Sequence, residues 1–254
     1  MSKRKKEWDT KENAEAYDEY ANNFSMYKDT SKDLVKISKI KPKMRIVDLA
    51  AGTGITAKVV FDKVGADVYI IAVDQSEMML RKAKEKFLDK KNTKFIIAEA
   101  ENLDKVVKKQ VDVIICNSAF WQIKPREVFK AASNVLKYGG IFAFNLPDQY
   151  FNYNGFNKQP RKPLSYNLDD LVTWGKEAGL YLIDQSVKEY KRNLSEITAF
   201  SKIPVMQKNF KSAADRESFI SDTTERMKKN SYKKSQWLYL AFTKQKRGAA
   251  EARP

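Results

Sequence analysis

The sequence predicts an α/β protein built on one mostly parallel, seven-stranded sheet with helices on both faces. Three observations carry this. Seven apolar runs read as strands, and amphipathic stretches of helical period separate most of them. Buried apolar strands with helical crossovers are the pattern of a parallel sheet covered on both sides. Glycine is scarce, nine in 254 residues, and falls where the chain must turn.

Residues 14–24 and 31–40 read as short amphipathic helices. Residues 44–49 form a continuous apolar strand, followed by a helix at about 54–64 that Gly65 ends, and residues 68–73 form the second strand. Ser76 then caps a helix with Glu77 in its first turn and Met78, Met79, Ala83 and Phe87 as its apolar stripe. Residues 94–98 and 111–116 read as further buried strands. A helix at about 125–137, the turn Gly139-Gly140 and a strand at 141–145 complete the regular part.

After Pro147 the texture changes. Residues 148–166 are rich in aromatics, Asn and Pro, which suits a surface loop or lid. A helix at 167–178, Gly179 and a strand at 180–190 follow. Residues 195–230 read as a mostly helical insertion with the apolar patch Ile203-Pro204-Val205-Met206, and 237–242 as the last strand. The organisation is therefore a tail with cap helices (1–40), a ligand-binding core (41–147), an aromatic lid (148–166), and a completing segment (167–244) that carries the 195–230 cap. Residues 245–254 form a tail expected to be disordered.

Composition excludes several functions. With no histidine, His-based triads, general bases and metal ligands are absent, and no metal site is expected. The single cysteine, Cys116, excludes an intrachain disulfide framework and reads as a buried, bland thiol. No apolar run approaches the roughly 18–20 residues of a membrane span. The start, Met-Ser-Lys-Arg-Lys-Lys-Glu-Trp, lacks a signal-type apolar core, so a cytoplasmic location is expected. Lys and Arg number 48 against 32 Asp and Glu, a net charge of +16, concentrated at Lys3-Arg4-Lys5-Lys6 and between Arg226 and Arg247. That charge fits a nucleic-acid footprint or a lysine-rich bias on solvated helix faces. Lysines spread over almost every predicted helix favour the second.

The loop after the first strand carries the chemistry. A glycine-rich strand-to-helix turn suggests a nucleotide, because bare backbone can approach a ligand closely. A Walker loop needs a Lys that does not follow Gly54. A dinucleotide fingerprint needs glycines at 50, 52 and 55, where the chain has Ala50, Gly52 and Ile55. What remains is Asp48-x-Ala50-x-Gly52-x-Gly54. An acid before the turn would repel a pyrophosphate but can hold the cationic amino group of a methionine moiety, directly or through water. Asp74, 22 residues after Gly52, stands at a strand end where a carboxylate can accept both ribose hydroxyls.

From about Tyr17 to Pro147 the sequence resembles the class I S-adenosylmethionine-dependent methyltransferases, particularly their small-molecule branch. The resemblance rests on Val-Asp-Leu-Ala-Ala-Gly-Thr-Gly (47–54), Val-Asp-Gln-Ser-Glu-Met-Met (73–79), Ala-Glu-Ala-Glu-Asn-Leu (98–103), Cys-Asn-Ser-Ala-Phe-Trp (116–121) and Val-Leu-Lys-Tyr-Gly-Gly (135–140). It implies a Rossmann-like fold and S-adenosyl-L-methionine as cofactor. Asp48, Ala50, Gly52, Thr53 and Gly54 would contact its methionine end and Asp74 its ribose. Gln75 and Met79 would lie beside the nucleoside. Glu99, where the family usually has Asp, and the Ala100 backbone would meet the adenine; Asn117 would line the methyl-donor cleft, with Tyr17 closing over it. Phe120 stands where the family often has a His, which argues against a base there.

The implied reaction is in-line methyl transfer to O, N or C of a small, hydrophobic or aromatic metabolite, with an RNA or protein acceptor as the alternative. Tyr20, Phe120, Trp121, Tyr150, Tyr153 and Phe200 are the candidate acceptor-binding residues, with Phe151 and Phe156 beside them. No residue declares itself as a general base; Tyr17, Tyr20, Tyr150 and Tyr153 are the candidates.

Overall fold

The computed structural model describes residues 7–89, 91–156, 160, 163–228 and 231–246. The basic cluster at 3–6 and residues 247–254 of the expected tail lie outside the described residues. Two helices open the chain, α1 (Lys11–Asn23), capped by the Thr10 side chain, and α2 (Met26–Ile37). Then come β1 (Arg45–Leu49), α3 (Ile55–Val64), β2 (Tyr69–Asp74), α4 (Glu77–Lys86), β3 (Thr93–Ile97), the short α5 (Leu103–Val106) and β4 (Val111–Cys116). The second half holds α6 (Pro125–Val135), β5 (Leu136–Pro147), α7 (Leu168–Glu177) and β6 (Leu180–Arg192). It ends with α8 (Leu194–Lys202), α9 (Pro204–Gln207), α10 (Ala213–Met227) and β7 (Lys233–Lys244).

The sheet order is β3-β2-β1-β4-β5-β7-β6, with β7 antiparallel to both neighbours and the remaining pairs parallel. The order reverses between β1 and β4. Chain leaving these two strands diverges to opposite sides, so a crevice opens at their C-terminal ends, where such sheets bind ligands.

Side chains alternate across the sheet because successive Cβ atoms point to opposite faces. Val47, Ile114, Phe142, Phe144, Leu240 and Phe242 join the core under α6 and α7; Ile46, Val113, Ala143, Tyr239 and Ala241 join the core under α2 and α3. The first core is aromatic: Phe120 stacks on Phe144 at 3.6 Å between centroids, and Phe129 meets Phe142, Phe144 and Phe242 edge-on. On the opposite face the small Ala143 and Ala241 leave room for α2, whose Leu34 and Val35 are fully buried.

Helix starts follow the sequence signals. Ser76 caps α4 by accepting the Met79 N–H at 3.1 Å, Pro125 opens α6, and Asn167 and Asp170 form a capping box on α7.

Three expectations change. The third strand is a half-exposed edge, not a buried strand, because among the described residues no strand pairs with its outer side. Gly139-Gly140 lie within β5, where the register slips between Val111 and Val113, so they form an irregularity in a longer strand. The 148–166 segment is no mere surface lid: Phe151 is fully buried, Phe156 nearly so, and Tyr153 packs on the same core. Asp148 fixes its start by exchanging backbone and side-chain hydrogen bonds with Gln236 of β7. A Phe151→Ala protein is therefore expected to lose about 3–5 kcal/mol of unfolding free energy, measured by urea denaturation, where a true lid residue would lose almost none.

Candidate active site

The crevice at the β1/β4 switch deepens into a cavity of about 420 Å³, within the range of small-molecule and cofactor sites. Its floor is the loop between β1 and α3. Ala50, Gly52 and Gly54 all have positive φ, 56°, 54° and 83°. Gly54 has no alternative: a Cβ there would stand 2.7 Å from the Phe87 ring.

Asp74 ties this loop to β2. Its Oδ2 accepts the Gly52 N–H and its Oδ1 the Ser76 N–H, each at 2.8 Å. Burial raises the carboxyl above the usual range, while those backbone donors pull it down. Asp48 lies one strand away, 1% exposed and beneath the loop, accepting the Ala57 N–H of α3 at 3.1 Å. Its carboxyl is pushed up to about 7, mainly by burial; the Ala57 N–H opposes this and the negative charge of Asp74 adds to it.

Of the residues expected around the cofactor, Tyr17, Ala50, Gly52, Thr53, Asp74, Gln75, Met79, Ala100 and Asn117 line the cavity. Asp48, Gly54 and Glu99 do not: Asp48 and Gly54 support the loop from below, and Glu99 starts the short turn Ala100–Asn102, which brings Ala100 and Glu101 to the wall. The Asn117 side chain is already engaged. Its Nδ2 donates to Ser31 Oγ at 3.0 Å, and its Oδ1 accepts from Asn145 Nδ2 at 2.7 Å. Asn145 in turn accepts the Ser118 N–H. This network fixes the end of β4 against β5 and α2.

The expected acceptor residues divide. Trp121, Tyr150 and Phe200 line the cavity, whereas Tyr20, Phe120 and Tyr153 do not. Phe120 is drawn into the aromatic core by Phe144, and Tyr153 packs on Phe156. Tyr20 is buried behind the wall, donating to Glu196 Oε1 at 3.0 Å. Burial pushes the hydroxyls of Tyr17, Tyr20 and Tyr27 above the ordinary tyrosine range, so they remain protonated at neutral pH.

Four wall residues carried no functional signal in the sequence. Trp8 meets Tyr17 edge-on and Tyr27 lies 5.3 Å from the Tyr17 ring; Trp237 meets Trp121 edge-on. Arg192, at the end of β6, is the fourth. Trp237 reads from sequence as a strand residue, and Arg192 as one more cation in a basic chain. Its only hint is the spacing to Glu196, four residues on.

A parallel sheet with a nucleoside-type loop and a facing carboxylate defines a class of nucleoside-cofactor proteins. The comparisons narrow it. The methyltransferase-domain family pattern matches residues 40–215. The chain belongs to that family, the class I S-adenosylmethionine-dependent methyltransferases. It is 28% identical over 137 residues to the malonyl-[acyl-carrier protein] O-methyltransferase of Marinomonas sp., covering 54% of this chain and 49% of the relative. It is 31% identical over 133 residues to malonyl-[acyl-carrier protein] O-methyltransferase 1 of Ilyobacter polytropus, covering 52% and 48%. The chain thus spans about half the length of the curated relatives it matches. In fold it resembles phosphoethanolamine N-methyltransferase 2 of Haemonchus contortus, solved with phosphomonomethylethanolamine and S-adenosylhomocysteine, at a TM-score of 0.65 and 18% identity, covering 97% of this chain and 61% of that one.

The raised carboxyl of Asp48 has a consequence for stability. An unfolded Asp ionises near 3.9, so between about pH 4 and about 7 the folded state keeps a proton that the unfolded state has lost. Stability of the ligand-free protein should fall as pH rises through that window, by at most about 1.4 kcal/mol per pH unit for this group. Asp74 contributes in the same direction. Thermal melts of Asp48→Asn should show a flatter profile between about pH 5 and pH 7 than wild type; an equally steep one would rule out Asp48 as a source.

Proposed function

We propose that this chain catalyses S-adenosylmethionine-dependent methyl transfer to a small molecule in the cavity at the β1/β4 switch. The observation that carries the reading is the loop 50–54, bare of side chain at Gly52 and pinned by Asp74 beside a cavity of cofactor size. Asp74 takes the Gly52 and Ser76 N–H groups on different oxygens, with the Gln75 N–H also drawn to it, and as a half-buried wall residue retains acceptor capacity toward the cavity for ribose hydroxyls. Met79, Ala98 and Ala100 offer an apolar slot for a base. Asp48 does not reach the cavity and supports the loop from beneath by holding α3 through the Ala57 N–H. The residues present fit the cofactor.

When bound, S-adenosylmethionine supplies a methyl group already activated on a sulfonium. The chain's contribution is then alignment and exclusion of water. Trp8, Tyr17 and Tyr27 close one side, while Trp121, Tyr150, Phe200 and Trp237 build an aromatic wall for the acceptor. With their hydroxyls protonated, Tyr17 and Tyr20 are poor general bases and can serve only as hydrogen-bonding groups. That favours an acceptor that arrives with a free lone pair, such as a carboxylate or an unprotonated amine. The curated relatives, named as O-methyltransferases of a malonyl group, support a carboxyl-type oxygen among these.

Isothermal titration with S-adenosylhomocysteine tests the site. Asp74→Ala should bind at least about tenfold more weakly than wild type, a loss of about 1.4 kcal/mol, and Asp74→Asn should fall between them. Wild-type affinity in Asp74→Ala would sink the assignment.

A further inference from the structure

Arg192 is a cation set among the aromatic residues Tyr27, Trp121, Tyr150, Phe200 and Trp237 of the chamber wall. It ends β6 just before the Asn193 cap of α8, and its side chain is only 16% exposed. Its guanidinium is fixed on three sides. Nε donates to Glu196 Oε1 at 2.9 Å, Nη2 donates to the Tyr20 hydroxyl at 3.1 Å, and the carbon lies 5.2 Å from the centre of the Phe200 ring. Tyr20 also donates to Glu196, so the three groups lock one another. Nη1 has no hydrogen-bond partner among the described residues, and Nη2 makes one hydrogen bond of the two it can donate.

The other charged residues on the wall are committed. Glu7 pairs with Lys208 at 3.2 Å on the half-exposed rim. Asp74 accepts two backbone N–H groups, and Glu101 accepts the Lys124 N–H at 3.0 Å. Glu196 balances the charge of Arg192 but occupies only its Nε side. What remains is a preorganised pair of donor edges on the chamber wall, the geometry that planar or tetrahedral oxyanions satisfy.

We infer that Arg192, oriented by Glu196 and Tyr20, binds an oxyanion of the methyl acceptor, a carboxylate or a phosphate, and so selects anionic small molecules. This rests on the methyl-transfer reading and sharpens its acceptor: the apolar metabolite expected from the sequence becomes an amphipathic one, with its apolar part against Trp121, Tyr150 and Trp237 and its anion at Arg192.

The test uses the full chain saturated with S-adenosylhomocysteine, titrated with malonate as the carboxylate probe, inorganic phosphate as the phosphate probe and dimethyl malonate as the uncharged counterpart. At least one anion should bind at least tenfold more tightly than dimethyl malonate. Which anion wins identifies the carboxylate or the phosphate as the preferred group. Arg192→Gln should abolish that preference and leave S-adenosylhomocysteine affinity unchanged. Because this variant strands the buried Glu196 carboxylate, Arg192→Gln/Glu196→Gln is measured beside it as a neutral, hydrogen-bonded replacement. Arg192→Lys should keep some of the preference through its charge. Equal binding of anions and dimethyl malonate, or an anion preference that survives in the double variant, overturns the inference. Failure of the wild type to bind S-adenosylhomocysteine would instead overturn the methyl-transfer reading.

Discussion

The cavity depends on two carboxylates at the ends of neighbouring strands, Asp48 buried beneath the loop and Asp74 half-buried on the cavity wall. Asp74 accepts from Gly52 in the loop and from Ser76 at the start of α4, so one side chain joins a strand, a loop and a helix. Asp48 does the same for β1 and α3 through the Ala57 N–H. Each is expensive to keep ionised without a cation, as its raised carboxyl pKa reflects. A cationic ligand above the loop would offset part of that cost. The empty-loop protein and the ligand-bound protein should therefore differ most in the charge state of this pair.

The fold was largely legible because its signals are local. Apolar runs, glycine turns and the Ser76 cap sit next to the structures they specify. The cofactor loop was legible for the same reason: its residues act mainly through backbone, and the distance from Gly52 to Asp74 is set by one helix and one strand. Edge position was not legible. Residues 93–97 look as apolar as a central strand, and only the sheet order leaves β3 with one neighbour.

The acceptor side was read poorly, for a tertiary reason. Phe120 and Trp121 are adjacent in sequence, yet one ring falls into the core and the other faces the cavity, because the short turn Phe120–Gln122 points consecutive residues apart. The aromatic segment after Pro147 divides likewise, with Phe151 buried and Tyr150 on the cavity wall. Composition told where aromatics are but not which way they point. Tyr20 and Tyr27 illustrate this across a helix boundary, one behind the wall and one on it.

The acceptor chamber is assembled from segments far apart in the chain. Tyr27 comes from α2, Trp121 from the turn after β4, Arg192 and Phe200 from the β6–α8 corner, and Trp237 from β7. Cross-links hold these pieces in place: Tyr20 reaches Glu196 across 176 residues, and Asn13 accepts the Val205 N–H across 192. Segments from the first and last thirds of the chain, with Trp121 and Tyr150 from the middle, therefore close one chamber beside the 50–54 loop. A substitution in α1 can in consequence alter acceptor binding without touching the acceptor, by releasing α8 and with it Arg192. The cofactor side shares this dependence, because Asp9, just before α1, accepts from the Ser76 hydroxyl and the Met78 N–H, and Lys86 of α4 joins Asp18 of α1 to Thr53 in the loop.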